Sequence, residues 1–112
     1  MAEITDEYMK EMLALAKPFT AVILKKGQNY NRPDVMKIIW EHGRNNFSLK
    51  ADGLLSIVCP VNDGSEITGF GIFSADAEQT KKIMDEDPGV KVGVFMYEIH
   101  PTKSFPGSSL PK

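Results

Sequence analysis

Apolar residues recur along the chain with two different spacings, and these divide it into helical and extended segments. Spacings of three and four residues predict helices over residues 5–17, 33–50 and 74–85. Short apolar runs rich in β-branched and aromatic residues predict strands over residues 19–24, 54–59, 67–73 and 90–99. The residues from His100 onward are rich in Pro, Gly and Ser and predict a tail. The order of the core is therefore β-α-β-β-α-β, with one additional helix before it.

Capping and breaking residues support the ends of these segments. Thr5 is a suitable N-cap for the first helix, and Asp76 followed by Gln79 forms a capping-box pattern at the third. Pro18 ends the first helix. Pro60 ends the second strand, because proline has no N–H to donate to a sheet. The boundaries thus rest on local chemistry as well as on spacing.

The element order predicts the fold class. A β-α-β-β-α-β chain is the split βαβ, or ferredoxin-like, arrangement, in which two helices cover one face of an antiparallel sheet. We therefore expect an α+β fold with three parts: an N-terminal helix in residues 1–18, a domain in residues 19–105 and a tail in residues 106–112. A chain of 112 residues fits a single domain of this size.

The first predicted strand is apolar on both of its faces. Phe19, Ala21 and Ile23 alternate with Val22 and Leu24, so both sides of the strand carry apolar side chains. Two helices can cover only one face of such a sheet, and the other face needs a second sheet or the N-terminal helix as a lid. We expect a homodimer in which the two sheets face each other.

Composition and charge exclude several classes of partner. The formal net charge is -2 and the lysines are scattered, whereas a nucleic-acid-binding protein normally carries a basic patch. The N-terminal region is acidic and has no apolar run, and no apolar stretch approaches the length of a membrane helix. A cytoplasmic location, without nucleic-acid or membrane partners, is therefore expected.

His42 is the most informative polar residue of the sequence. Its spacing from Ile39 and Leu49 places it on or near the helix face that meets the sheet. A histidine there must be hydrogen-bonded, since burying an unpaired polar group is costly. Two readings stay open: a packed and hydrogen-bonded core-edge residue, or a general acid and base in a pocket between helix and sheet.

Asp87 is a second candidate, in the segment before the predicted fourth strand. It precedes Pro88, and Asp-Pro commonly starts a turn, so a structural role is one reading. The other reading is that a carboxylate at the entrance of a strand orients an imidazole ring.

Three further residues are candidates for contact with a substrate. Cys59 ends the second strand, where a buried structural thiol is the simpler reading. Arg44 and Asp52, together with Arg32, could line a mouth that admits an anionic ligand, although solvated helix surface is the commoner explanation. His42 and His100 stand far apart in the sequence, and neither lies in a metal-ligand motif, so no metal or cofactor is expected.

Two short stretches resemble the signature of the YciI-like (YCII-related) proteins. The first runs from His42 through Gly53-Leu54-Leu55 to Pro60, where the family has a helix histidine, a Gly-x-Leu turn and a Gly-Pro. The second is Asp87-Pro88-Gly89-Val90, which resembles the Asp-Pro entrance to the last strand of the family. The resemblance covers roughly residues 19–105. It departs from the family at Cys59, which replaces the Gly before Pro60, and in its longer first loop.

The resemblance implies a dimeric α-β barrel, formed by two ferredoxin-like sheets packed face to face. It also implies an active site built around a histidine and an aspartate, which correspond to His42 and Asp87. His42 and Asp87 are also candidates on spacing and residue type alone, without this resemblance.

Three functions remain open from the sequence. The first is a cofactor-independent enzyme that uses His42 and Asp87 for acid/base chemistry on a small organic substrate. The second is a non-enzymatic module that binds a small ligand, and the third is a structural dimeric domain. A cavity that touches His42, with Asp87 in reach of the imidazole, would favour the first two. A filled interior with His42 bonded to a backbone carbonyl would favour the third.

Overall fold

A computed structural model describes residues 1–107 and 110–112, and it is built on one four-stranded antiparallel sheet. The elements are α1 (Asp6–Ala14), β1 (Lys17–Lys26), α2 (Val35–Ala51), β2 (Leu55–Pro60), β3 (Ile67–Phe73), α3 (Ala77–Asp85), α4 (Pro88–Lys91) and β4 (Phe95–Ser104). The strand order is β2-β3-β1-β4, and every neighbouring pair is antiparallel. The predicted α+β class, the β-α-β-β-α-β order and the additional N-terminal helix are confirmed.

The predicted fourth strand is wrong in both of its boundaries. Residues 88–91 form the short helix α4, and the strand begins only at Phe95. Val90 and Val92 imitate the alternation of a strand, but Asp87 caps a helical turn there and Gly93 adopts a positive φ of 76° before β4. The strand also continues through His100 to Ser104, where a tail was predicted. Pro101 is tolerated because β4 is an edge strand.

The N-terminal helix α1 begins as the sequence predicts but does not pack on the sheet. The Thr5 hydroxyl accepts a hydrogen bond from the Tyr8 amide at 3.1 Å, which confirms the predicted cap. The helix ends at Ala14 rather than at residue 17, because Lys17 already belongs to β1. No residue of α1 is buried, and Leu13 is 54% exposed. Within the described residues, no helix is long and apolar enough to cross a membrane.

The core lies between the helices and one face of the sheet. Val22 and Leu24 of β1 point to this face, where they meet the buried Leu55 and Phe73. Helix α2 packs against this core through residues that are only partly buried: Val35, Ile38, Ile39 and Leu49. Since α2 has no fully buried residue, it covers the sheet loosely and leaves space beneath it.

Apolar side chains also line the other face of the sheet. In the strand register, Ala21 lies opposite Ile72, and Ile23 lies opposite Phe70. Side chains directly opposite each other in antiparallel strands share a face. Phe70 is 47% exposed, so this face remains partly open, and α1 does not cover it. We call it the open sheet face.

A polar cluster joins α3 to β4 at the edge of the core. The Tyr97 hydroxyl donates a hydrogen bond to Asp85, which also pairs with Lys81 at 2.6 Å. Burial raises the pKa of Tyr97, while the hydrogen bond from Lys81 lowers the pKa of Asp85. The cluster fixes the position of α3, and α4 follows directly after it.

Candidate functional site

The loose packing of α2 leaves a cavity of about 580 Å³ between this helix and the sheet. Its floor is apolar and includes Leu24, Leu55 and Phe73. Its polar groups include His42 and Asn46 of α2, which face it one helical turn apart. An apolar hollow with a few convergent polar groups is the usual form of a small-molecule site.

Asp87 lies beside this cavity and is held by its own local structure. It is the N-cap of α4, and its Oδ2 accepts hydrogen bonds from the amides of Gly89 at 2.9 Å and Val90 at 3.1 Å. Its relative exposure is 1%. The Asp-Pro-Gly sequence favours this geometry, because Asp is a strong N-cap and Pro suits the first helical turn. One carboxylate oxygen is thus committed to the backbone, and the other faces α2.

The second oxygen of Asp87 meets His42. The distance from Asp87 Oδ1 to His42 Nδ1 is 2.7 Å, and the amide nitrogen of Asn45 lies 3.3 Å from the same oxygen. A carboxylate only accepts hydrogen bonds, so the network assigns the ring proton to Nδ1 when His42 is neutral. The other ring nitrogen, Nε2, is then an unprotonated acceptor.

Two neighbours fix the imidazole ring of His42 in this orientation. The Asn46 side-chain nitrogen lies 3.2 Å from His42 Nε2 and can donate to it. The ring of Phe95 packs against the imidazole with 4.6 Å between the centroids. The His42 side chain is only 12% exposed, and the ring also lines the cavity. The network therefore presents an unprotonated Nε2, with the Asn46 amide beside it, at the wall of the cavity.

Cys59, predicted as a substrate contact, touches the cavity from the edge strand β2. Its pairing with Phe70 places its side chain in the row of the open sheet face. The register therefore directs the thiol away from α2.

The other two predicted contacts do not lie at the cavity. Arg44 pairs with Glu41 at 3.1 Å, and both side chains are more than half exposed. Asp52 is the exposed C-cap residue of α2. Neither residue belongs to the cavity wall, because both occupy the solvent side or the end of the helix. The structure thus brings His42 and Asp87 together, and it leaves Arg44 and Asp52 on the outer surface.

Several residues at the site did not emerge from the sequence. Asn45 reaches Asp87, and the packing of Phe95 holds the His42 ring. Lys26 and Tyr30 line the cavity from the end of β1 and the loop after it. Asn46 carried a signal, since it stands on the same helix face as His42. The other four gave none, because their neighbours are distant in sequence.

Comparison with known proteins adds no relative. No family model matches the chain, and no curated protein matches it. The α+β fold with its four-stranded antiparallel sheet therefore rests on the structure, and the resemblance to the YciI-like family stays a prediction.

Proposed function

We propose that this protein is a cofactor-independent enzyme that moves a proton on a small organic substrate, with His42 as its general acid and base. The observation that supports this most is the 2.7 Å hydrogen bond between His42 Nδ1 and the buried Asp87 Oδ1, at the wall of an apolar cavity. The substrate class that fits is one with an acidic C–H or O–H next to a carbonyl group, where a neutral imidazole is an effective base.

The roles follow from the hydrogen bonds. His42 Nε2 takes a proton from the bound substrate, and the ring becomes an imidazolium. Asp87 stabilises this cation and keeps the ring in one orientation, as the third group does in nucleophile–base systems. Nε2 then returns the proton to another atom of the substrate. Asn46, which lies 3.2 Å from Nε2, holds the ring before the substrate takes its place.

A purely structural role accounts for less of this geometry. Asp87 caps α4 through Oδ2 alone, so the cap does not need a histidine at Oδ1. The cavity beside His42 and the partner at Nδ1 are the two features that favour an enzyme or a binding module over a structural domain.

Proton exchange with solvent deuterium tests the proposal without a known substrate. The protein is incubated in D₂O with a pool of small 2-oxo acids, 3-oxo acids and lactones, and mass spectrometry follows deuterium uptake. We expect uptake into at least one compound, and a loss of about 10²–10⁴-fold in rate for His42→Gln. That range is the usual contribution of a positioned general base.

His100 offers a matched control for this experiment. It is exposed, pairs with Glu98, and lies opposite Ala21 on the open sheet face. His100→Gln is expected to leave the exchange rate unchanged. Equal rates in wild type and His42→Gln would overturn the proposal. Binding of pool members without exchange would replace it with the ligand-binding module.

We also propose that two copies pair through the open sheet face, as the resemblance to the YciI-like family implies. The face carries Ala21, Ile23, Phe70 and Ile72, and α1 leaves it uncovered. An apolar sheet face of this kind is stable when a second sheet packs on it about 10 Å away. The dimeric α-β barrel would result from that packing.

Light scattering after gel filtration tests the dimer. We expect a dimer at micromolar concentration, and a monomer for Phe70→Glu, because the substitution places a charge on the apolar face. Trp40→Glu is the control, since Trp40 is 71% exposed on α2, on the other side of the sheet. A wild-type protein that stays monomeric at micromolar concentration would defeat this proposal.

A further inference from the structure

The charges at the cavity wall have one sign. Lys26 and Lys50 line the cavity, and among the residues that the structure describes no Asp or Glu does. The whole chain carries a net charge of -2, so the charges at the cavity wall have the opposite sign to the net charge of the protein. We propose, resting on the function proposed above, that the site takes a small carboxylate and that Lys26 is its anchor.

Lys26 and His42 both line the cavity, and they are linked through the aromatic residues Tyr30 and Phe95. In the sheet register Lys26 lies opposite Phe95, and the ring of Phe95 packs against His42 at 4.6 Å. Phe95 also contacts Tyr30, at 6.2 Å between the ring centroids. The Lys26 Nζ lies 5.2 Å from the centre of the Tyr30 ring. Tyr30 and His42 thus flank the Phe95 ring, and the Lys26 ammonium lies over the Tyr30 ring.

The ammonium group of Lys26 has no carboxylate partner within the described part of the chain. Its neighbour Lys25 pairs with Glu98 on the open sheet face, whereas Lys26 only rests over Tyr30. A cation held over an aromatic face remains able to bind an anion, because the ring offers no full negative charge. Lys26 is therefore positioned for a charge-assisted hydrogen bond to a carboxylate.

Lys50 is the weaker candidate for the anchor. It belongs to the last turn of α2 and is exposed, and it lies about 12 Å beyond His42 along the helix axis. A small ligand bound at Lys50 would place its body away from His42. The Lys26 ammonium, by contrast, lies over Tyr30, whose ring neighbours Phe95, and Phe95 packs against His42.

The sequence predicted that Arg44, with Asp52 and Arg32, lines a mouth for an anionic ligand, whereas the lysines at the cavity wall are Lys26 and Lys50. Arg44 is already paired with Glu41 outside the cavity. The substrate class becomes a short organic acid with an apolar body, in which the reacting C–H or O–H lies a few atoms from the carboxylate. This geometry gives His42 and Lys26 separate tasks, proton transfer and anchoring.

Fluorine NMR with 4-fluorobenzoate and 4-fluorobenzamide measures the anchor directly. The two probes have the same size and shape, but only the first carries a charge. We expect 4-fluorobenzoate to bind at least tenfold more tightly than the amide, and its Kd to rise about tenfold in Lys26→Gln. Lys37→Gln removes an exposed lysine of α2 outside the cavity wall and is expected to change nothing.

The possible results test the anionic substrate class and the role of Lys26 separately. Equal binding of the two probes, or no binding of 4-fluorobenzoate, overturns the anionic substrate class. A loss of binding in Lys50→Gln rather than in Lys26→Gln overturns the anchor. The result does not depend on turnover, since 4-fluorobenzoate has no acidic C–H or O–H for His42 to deprotonate. A carboxylate site that depends on Lys26, without deuterium exchange in the assay above, would disprove the acid/base function and leave this inference standing.

Discussion

Replacing Asp87 with alanine is expected to lower the free energy of unfolding by about 3–5 kcal/mol. The side chain is 1% exposed, and its two oxygens accept from the amides of Gly89 and Val90 and from the side chains of His42 and Asn45. Alanine would leave these buried donors without a partner. Urea denaturation of the wild type and the variant measures the difference.

Asp87→Asn separates the cap from the orientation of the histidine. The asparagine oxygen can still accept from the amides of Gly89 and Val90, so the expected loss of stability is smaller, about 1–2 kcal/mol. The side-chain amide would then donate toward His42 Nδ1, which favours the tautomer with its proton on Nε2. A loss as large as that of Asp87→Ala would contradict this division of roles.

Phe95→Ala is expected to cost about 3–5 kcal/mol of stability and to release the His42 ring. Phe95 is 5% exposed and belongs to the core cluster, and its ring lies against His42 and Tyr30. Gly89 allows this packing, because a Cβ there would lie 2.5 Å from the Phe95 ring. Urea denaturation measures the stability, and the aromatic proton shifts of His42 report the ring.

Phe47→Ala is the control, because it removes the same side chain from an exposed position. Phe47 is 69% exposed on α2, so its truncation is expected to change the stability by no more than about 0.5 kcal/mol. An equal loss of stability in the two alanine variants would contradict the position of Phe95 in the core.

The sequence predicts the fold where local pattern and tertiary structure agree. The alternation in Ile67–Phe73 predicts β3 with its observed bounds, and Thr5 and Asp76 cap the helices expected of them. It fails around residues 90–94, where apolar residues imitate a strand and the cap at Asp87 forms a helical turn instead. Side-chain capping outweighs a short apolar run there, because it satisfies two backbone amides that would otherwise lack partners.

The candidate site was only partly accessible from the sequence. Helical spacing places His42 toward the sheet, and the resemblance to the YciI-like family pairs it with Asp87. The cavity itself depends on how far α2 stands from the sheet, which no local pattern encodes. Lys26 joins the site only because the register brings it opposite Phe95. Arg44 was predicted as a substrate contact from its charge, but it forms an ion pair with Glu41 on the exposed side of α2.

The tautomer of His42 is the most direct test of the central claim, that Asp87 holds the imidazole ring with an unprotonated Nε2 at the cavity. Long-range ¹H–¹⁵N correlation spectra of the wild type, recorded at a pH where its imidazole ring is neutral, distinguish a protonated from an unprotonated ring nitrogen. The structure predicts the proton on Nδ1 and an unprotonated Nε2, reversed in Asp87→Asn. A wild-type His42 with its proton on Nε2, or a tautomer unaffected by Asp87→Asn, would contradict it.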